Sequence, residues 1–323
     1  MTATIRAEDW LRYIRTEYLD SFIKDGGSSI KFAVPLDGSS KASLPRDLCQ
    51  SAEEAGYLVA RVSAEDTKIH MMDQLFFRIA EQIPWRDLSR EVINKLASEG
   101  GYMPAQGGDE RFVERIALAN NLETPAIQLA LRPKVAQRVL KHPKLARDFR
   151  VAATQLCLAE LSGGPDGDMA ATVILDWLTG RNRAITAVKP YQIFTRIHRT
   201  NARHLFASLL RWIRLAGHSG VVVVTDMERV TLASNPKNGT WFYSKAAVFD
   251  AYEVLRQFID ATDEMKGLLM LLMPSHQFLD RDSNRGLSAY QALEFRVYDE
   301  IHDRRLVNPM TSLVRVSVSG GEA

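Results

Sequence analysis

Apolar residues recur along this chain in two periods, one helical and one of short continuous runs. Over 7–24 (AEDWLRYIRTEYLDSFIK), Trp10, Leu11, Ile14, Tyr18, Leu19 and Phe22 fall at helical spacing, and Gly26-Gly27 follows as a stop. Compact apolar runs predict buried strands at 29–34 (SIKFAV), 57–62 (YLVARV), 221–225 (VVVVT), 268–273 (LLMLLM) and 313–318 (LVRVSV). Further helices are predicted at 44–55, 191–215, 244–262 and 288–305. Apolar strands separated by helices imply a parallel sheet covered on both faces. The first two strands and the helix between them form a βαβ unit, expected to be right-handed.

Between 67 and 190 helical periodicity dominates, broken at Pro84, Gly100-Gly101, Gly107-Gly108, Pro133, Pro143 and Gly163-Gly164-Pro165, with no convincing strand. The sheet needs strands from both ends of the chain. The expected organisation is therefore one α/β core made of 1–66 and 191–323, interrupted by an all-helical insertion at 67–190.

Composition narrows the function. The chain has 323 residues, 46% hydrophobic and 25% charged, enough for a sizeable core without covalent staples. Cys49 and Cys157 are its two cysteines, and no His cluster has ligand spacing, which argues against a disulfide framework and a structural zinc. The opening MTATIRAEDW has no apolar signal core, and no apolar run approaches the ~18 residues that span a bilayer. These features predict a cytoplasmic protein with no membrane partner.

Candidate chemistry begins at 34–45, VPLDGSSKASLP, between the first strand and its helix. A phosphate-binding loop reads G-x-x-x-x-G-K-[ST]; its backbone N–H groups and a helix N-terminus point at phosphate oxygens. Lys41 is in register here, but Pro35 and Ser40 hold the glycine positions and Ala42 the Ser/Thr position. Ser43, next door, is the remaining hydroxyl for a metal. The candidate nucleotide residues are Asp37, Gly38, Ser39, Ser40, Lys41 and Ser43. An ordinary capping turn before a helix reads the same way.

The second landmark is GVVVVTDMER at 220–229, an apolar strand ending in acids, like the strand that carries the metal-holding carboxylate of P-loop enzymes. Either Thr225 replaces the metal-binding Asp and Asp226 the catalytic Glu, or Asp226 binds the metal and Met227 replaces the Glu. Both registers lose a carboxylate. Asp226 is the metal candidate, and Asp226 and Glu228 are the catalytic candidates. Ser275, just beyond the strand at 268–273, sits where a polar sensor residue would stand.

Net charge is only +2, yet it is unevenly distributed. Residues 132–150 (RPKVAQRVLKHPKLARDFR) hold seven Lys/Arg and one acid; between Asp176 and Asp226 lie eight Lys/Arg, three His and no acid. Arg138, Lys141, Lys144 and Arg147 are the candidate DNA contacts, with a solvated helix face as the plainer alternative.

In order and spacing, four stretches resemble the AAA+-like ATP-binding proteins of the BREX phage-exclusion systems, the BrxC/BrxD type of P-loop protein. They are 10–70 (WLRYIRTEYLDSFIKDGGSSIKFAVPLDGSSKASLPRDLCQSAEEAGYLVARVSAEDTKIH), 201–230 (NARHLFASLLRWIRLAGHSGVVVVTDMERV), 251–279 (AYEVLRQFIDATDEMKGLLMLLMPSHQFL) and 285–297 (RGLSAYQALEFRV). The resemblance implies a P-loop NTPase fold with a five-stranded parallel sheet, the first strand between the fifth and fourth. It implies ATP and Mg²⁺ as cofactors and antiphage defence as the setting. Partners would be other subunits of an oligomeric defence complex, an active ATPase paralogue among them, and DNA. Lys41 would be the phosphate-binding lysine, Asp226 one acidic catalytic residue, and Arg285 and Arg296 late arginines acting on γ-phosphate charge. Departures at Pro35, Ser40, Ala42 and Thr225/Met227 strike the catalytic kit together. The favoured expectation is a degenerate paralogue with hydrolysis weak or absent. An active ATPase and a nucleotide-independent scaffold are the alternatives.

Overall fold

The structure is a computed structural model describing residues 4–105, 111–232, 243–298 and 308–318. Strand β1 (Ile5–Arg6) runs into helix α1 (Ala7–Tyr13), which continues as a π-helical segment, Ile14–Phe22. Strand β2 (Ser28–Pro35) is separated by Leu36 and Asp37 alone from α2 (Gly38–Glu54); β3 (Tyr57–Ser63) and α3 (Met72–Ala80) follow. The helices α4 (Trp85–Glu99), α5 (Phe112–Ala119), α6 (Thr124–Val135), α7 (Arg147–Ser162), α8 (Gly164–Leu178), α9 (Ile185–Val188) and α10 (Ala202–Ala216) come next. The chain closes with β4 (Gly220–Asp226), α11 (Glu228–Thr231), α12 (Lys245–Asp260), β5 (Leu268–Met273), α13 (Gln291–Val297) and β6 (Leu313–Ser317).

All six strands join one parallel sheet in the order β1-β6-β2-β5-β4-β3. The first predicted strand lies between the fifth and fourth as expected, but the sheet has six strands rather than five. The extra one, β1, is two residues long and pairs Ile5 with Val316; alternation over two residues carries no signal. Helix α2 starts at Gly38 rather than 44, because Asp37 caps it. The helix predicted at 191–215 begins only at Ala202, after a 3₁₀ turn at Lys189–Tyr191. The helix predicted at 288–305 is ordered as α13 over Gln291–Val297; residues 299–305 lie outside the described residues, as does the Gly107-Gly108 break.

The chain divides into two compact units, Met1–Ile79 with Ser219–Ala323, and Ala80–His218. Both boundaries fall later than the expected 67 and 190. Residues 67–69 are held in the sheet unit by Tyr243, whose hydroxyl donates to the Thr67 carbonyl at 2.8 Å and accepts from the Ile69 N–H at 3.3 Å. Helix α10 joins the helical unit, where Ser208 Oγ accepts from the Ala146 N–H at 2.9 Å.

One face of the sheet, with Ala33, Val222, Val224, Leu269, Leu271 and Val314, packs on Trp10, Ile14, Leu19, Leu44 and Leu48. On β2, Phe32 stacks on Phe278 at 5.5 Å, with Tyr252 edge-on to Phe278 at 5.8 Å. These strands carry side chains on two buried faces, which is why they read as continuous apolar runs. Gly220 opens β4 at φ +153°, and a Cβ there would lie 2.1 Å from the Gly267 carbonyl oxygen. Only glycine fits that crossing.

Lys31 is the exception in β2. It is 3% exposed; its ammonium donates to the carbonyls of Met310 (2.5 Å) and Thr311 (3.1 Å) and lies 4.5 Å from the Tyr18 ring centroid. Burial pushes its pKa down to about 8. A lysine with a lowered folded pKa carries its full charge-burial cost below pH 8. Between about 8 and the unfolded value of 10.5 the unfolded chain holds more protons, so stability rises with pH. The parent is therefore expected to gain on the order of 3 kcal/mol relative to Lys31→Met between pH 7.5 and 10.5, read as the difference in urea unfolding free energies. A difference that stays flat with pH would show that Lys31 keeps its proton.

Candidate functional site

The C-terminal ends of β2, β4 and β5 open into a cavity of about 220 Å³, lined by Asp37, Gly38, Lys41, Asp226, Glu228 and the Met273–Ser275 turn, among others. Ligands of parallel α/β sheets bind outside these strand ends. The sequence thus places Asp37, Gly38, Lys41, Asp226 and Glu228 around one space although 185 or more positions separate the two groups.

The loop is not a phosphate cradle. With two residues between β2 and α2, the stretch that would curl around a phosphate is instead the first turn of a helix. Pro35 has no N–H, and the Leu36 N–H bonds the Val316 carbonyl at 2.9 Å. The Asp37 carboxylate caps α2: Oδ1 accepts from the Ser40 N–H at 2.7 Å, and Oδ2 from the Ser40 hydroxyl at 2.9 Å and the Val318 N–H at 3.1 Å. The Ser40 N–H, chiefly, holds the Asp37 carboxyl below its ordinary range, with the Val318 N–H and the Ser40 hydroxyl adding to it. A negative carboxylate already stands where an anion at this helix N-terminus would sit.

Lys41 lies inside the first turn and donates to Glu228 Oε2 at 2.5 Å; both side chains are about 40% exposed, at 44% and 36%. Asp226 Oδ1 accepts from the Glu228 N–H at 2.9 Å, turning the chain so that Glu228 faces the lysine. Of the two registers left open by the sequence, Asp226 reaches the cavity; Thr225 is buried at 2% with no hydrogen-bond partner for its hydroxyl among the described residues, and Met227 is wholly buried. Ser39 is exposed and Ser43 half-buried, and neither lines the cavity. Ser275 does line it, its hydroxyl 2.7 Å from that of Thr231. His276 joins from the next position, a residue that only its place just past a strand end could have flagged.

The two late arginines are engaged elsewhere. Arg285 is 3% exposed; its guanidinium donates to the Tyr243 carbonyl, and its own carbonyl accepts from the Tyr252 hydroxyl at 2.6 Å. Burial lowers its pKa. Arg296 grips Asp260, with Nη2 3.0 Å from Oδ2, and so docks α13 on α12. Neither lines the cavity. Arg138, Lys141, Lys144 and Arg147 belong to the helical unit, and all four are exposed.

A family profile described as BREX system ATP-binding protein BrxC/D matches residues 16–318. The chain belongs to that family. No curated protein and no solved structure matches it. Family membership makes it an ATP-binding-type component of a BREX system and gives it other defence subunits as partners. No helix among the described residues is long and apolar enough to cross a membrane. The site residues nevertheless do not fit a triphosphate: the helix N-terminus is capped by Asp37, and the lysine is paired with Glu228.

Asp37→Ala is expected to lower unfolding stability by about 1 kcal/mol at pH 7, the usual worth of an Asp cap. Because the folded Asp37 pKa is depressed, that contribution is present above its unfolded value and lost as pH falls through the folded one. The parent–variant gap in denaturant titrations should therefore narrow toward pH 2. A gap independent of pH would assign the loss to packing instead of to the charged cap.

Proposed function

We propose that this protein is a degenerate member of its family: an AAA+-like P-loop fold whose nucleotide site has closed on itself, serving a BREX-type defence complex through contacts with protein subunits and DNA rather than through ATP turnover. The observation that carries this reading is the pair of internal substitutes for phosphate. The Asp37 carboxylate occupies the start of α2, and Glu228 occupies Lys41. Hydrolysis needs loop backbone, metal ligand and water-orienting carboxylate at once. Here the loop backbone is helical and Met227 is buried away from the cavity. Asp226 remains in the cavity as the one residue suited to a metal, with no second carboxylate free to orient water, since Glu228 holds the lysine.

The partner most consistent with this is an ATPase-competent paralogue, with the present chain as a non-hydrolysing member of the assembly. The arginines of the late motif support this, since Arg285 and Arg296 both stabilise their own unit. Arg138, Lys141, Lys144 and Arg147 are proposed as contacts to a DNA backbone.

Titration with Mg·ATP, followed by calorimetry and by phosphate release, tests the closed site. The parent is expected to bind more weakly than about 1 mM and to release no phosphate above background, with Lys41→Ala indistinguishable from it. Asp37→Ser with Glu228→Gln keeps a capping hydroxyl, removes both carboxylates and should tighten binding by about tenfold or more without creating turnover. Mg²⁺-dependent turnover by the parent, abolished by Lys41→Ala, would refute the closed site.

A further inference from the structure

The helical unit carries a groove of about 570 Å³ between α4, the π-helical turn Ala136–Leu140 and α10. Val92, Leu96, Val139 and Leu215 supply apolar walls, while Lys95, Arg138 and Arg214 face one acid, Glu99. Glycines make room for the lysines at its margins. A Cβ at Gly217 would lie 2.9 Å from the Lys95 ammonium, and one at Gly100 would lie 2.8 Å from Lys134 Cε.

The two basic runs of the sequence converge here. The Ala146–Ser208 hydrogen bond joins the segment before α7 to α10. His142, in that segment, is held below its ordinary range by burial first and then by Arg138, Arg211 and Lys144. Some arginines elsewhere are matched with acids, as in Arg12–Asp9, Arg78–Asp66 and Arg256–Asp260. Arg138, Lys141, Lys144 and Arg147 have no such partner among the described residues. Four unmatched cations beside a cationic groove call for an anion larger than the groove itself, which favours a polymer over a small phosphate ligand. The groove has no aromatic lining among its described residues, so no ring there stacks on a base.

We propose that this groove is a seat for the phosphate backbone of DNA, with Arg138 and Arg214 on phosphate oxygens and Lys141, Lys144 and Arg147 continuing the track outward. The proposal rests on the reading of the first basic run as a DNA contact and adds the groove, Lys95 and α10 to it. Binding is sequence-tolerant and falls steeply with salt.

Anisotropy of a short fluorescent DNA duplex, measured over a salt series, tests it with three variants. Ser98→Glu places a negative charge in the groove from an exposed position and removes no cation. Arg138→Glu reverses an unpaired cation, and Arg46→Glu makes the same reversal on the sheet unit as a control. The first two are expected to weaken binding by about tenfold at low salt, and Arg138→Glu to reduce the salt slope by about one or more, with Arg46→Glu unchanged. Circular dichroism should show all three folded as the parent. Parent-like affinity in both groove variants, salt-independent binding, or displacement of the duplex by poly-glutamate as readily as by unlabelled duplex would overturn the proposal. Mg·ATP titration of the same preparations reads the other site: ATP turnover with DNA binding intact refutes only the closed nucleotide site, and the converse result refutes only the groove.

Discussion

The shortness of the connection between β2 and α2 governs the chemistry of the sheet unit. Two residues suffice to turn a strand into a helix but not to wrap a phosphate, which needs several consecutive N–H groups on a curled backbone. Once the helix begins at Gly38, its first N–H groups need an acceptor, and a negative one is favoured by the helix dipole. Asp37 supplies it from within the chain. The same carboxylate also takes the Val318 N–H, so the cap of α2 and the end of β6 are fastened to one another. A structural cap and an anion site cannot occupy the same helix terminus, and here the cap holds it.

The remaining lysine follows from that. Lys41 on the first turn has Glu228 as a partner at 2.5 Å, aimed by the turn that Asp226 makes. An ion pair this exposed contributes little to stability, about 0–1 kcal/mol. Its consequence is spatial. It joins α2 to α11 at the lining of the cavity, beside the Asp37 carboxylate.

The long strands were legible because each is a continuous apolar run between helices, and their order followed from the resemblance to AAA+-like domains. Two residues of β1 were not legible, since a strand that short has no period. The start of α2 was missed for a different reason. Lys41 in register suggested a loop running up to residue 44, whereas Asp37 won as cap and left Pro45 within the helix. The meeting of Asp37, Lys41, Asp226 and Glu228 was readable from strand ends, but the pairing of Lys41 with Glu228 was not. It depends on where the chain turns after β4. The two arginines illustrate the opposite case: the family resemblance suggested a γ-phosphate contact, while burial among Tyr243 and Tyr252 and an aspartate on α12 decided their use.

The late arginines also bear on how the sheet unit holds together. Asp260 accepts from both Arg256 and Arg296, and Glu253 accepts from Arg256, Gln257 and the Tyr290 hydroxyl. Arg256 above all pulls Glu253 down to about 2, with Gln257 and Tyr290 assisting. This network joins α12 to α13 and to the segment leading into it, within the sheet unit. In a nucleotide-dependent fold, ligand contacts bridge loop, strand ends and late arginines, and their loss loosens all three. Here Asp37 caps α2, Glu228 pairs with Lys41 and Asp260 holds Arg296. In the helical unit Arg86 and Arg90 are likewise paired, with Glu160, whereas Arg138, Lys141, Lys144 and Arg147 are exposed with no acid paired to them among the described residues.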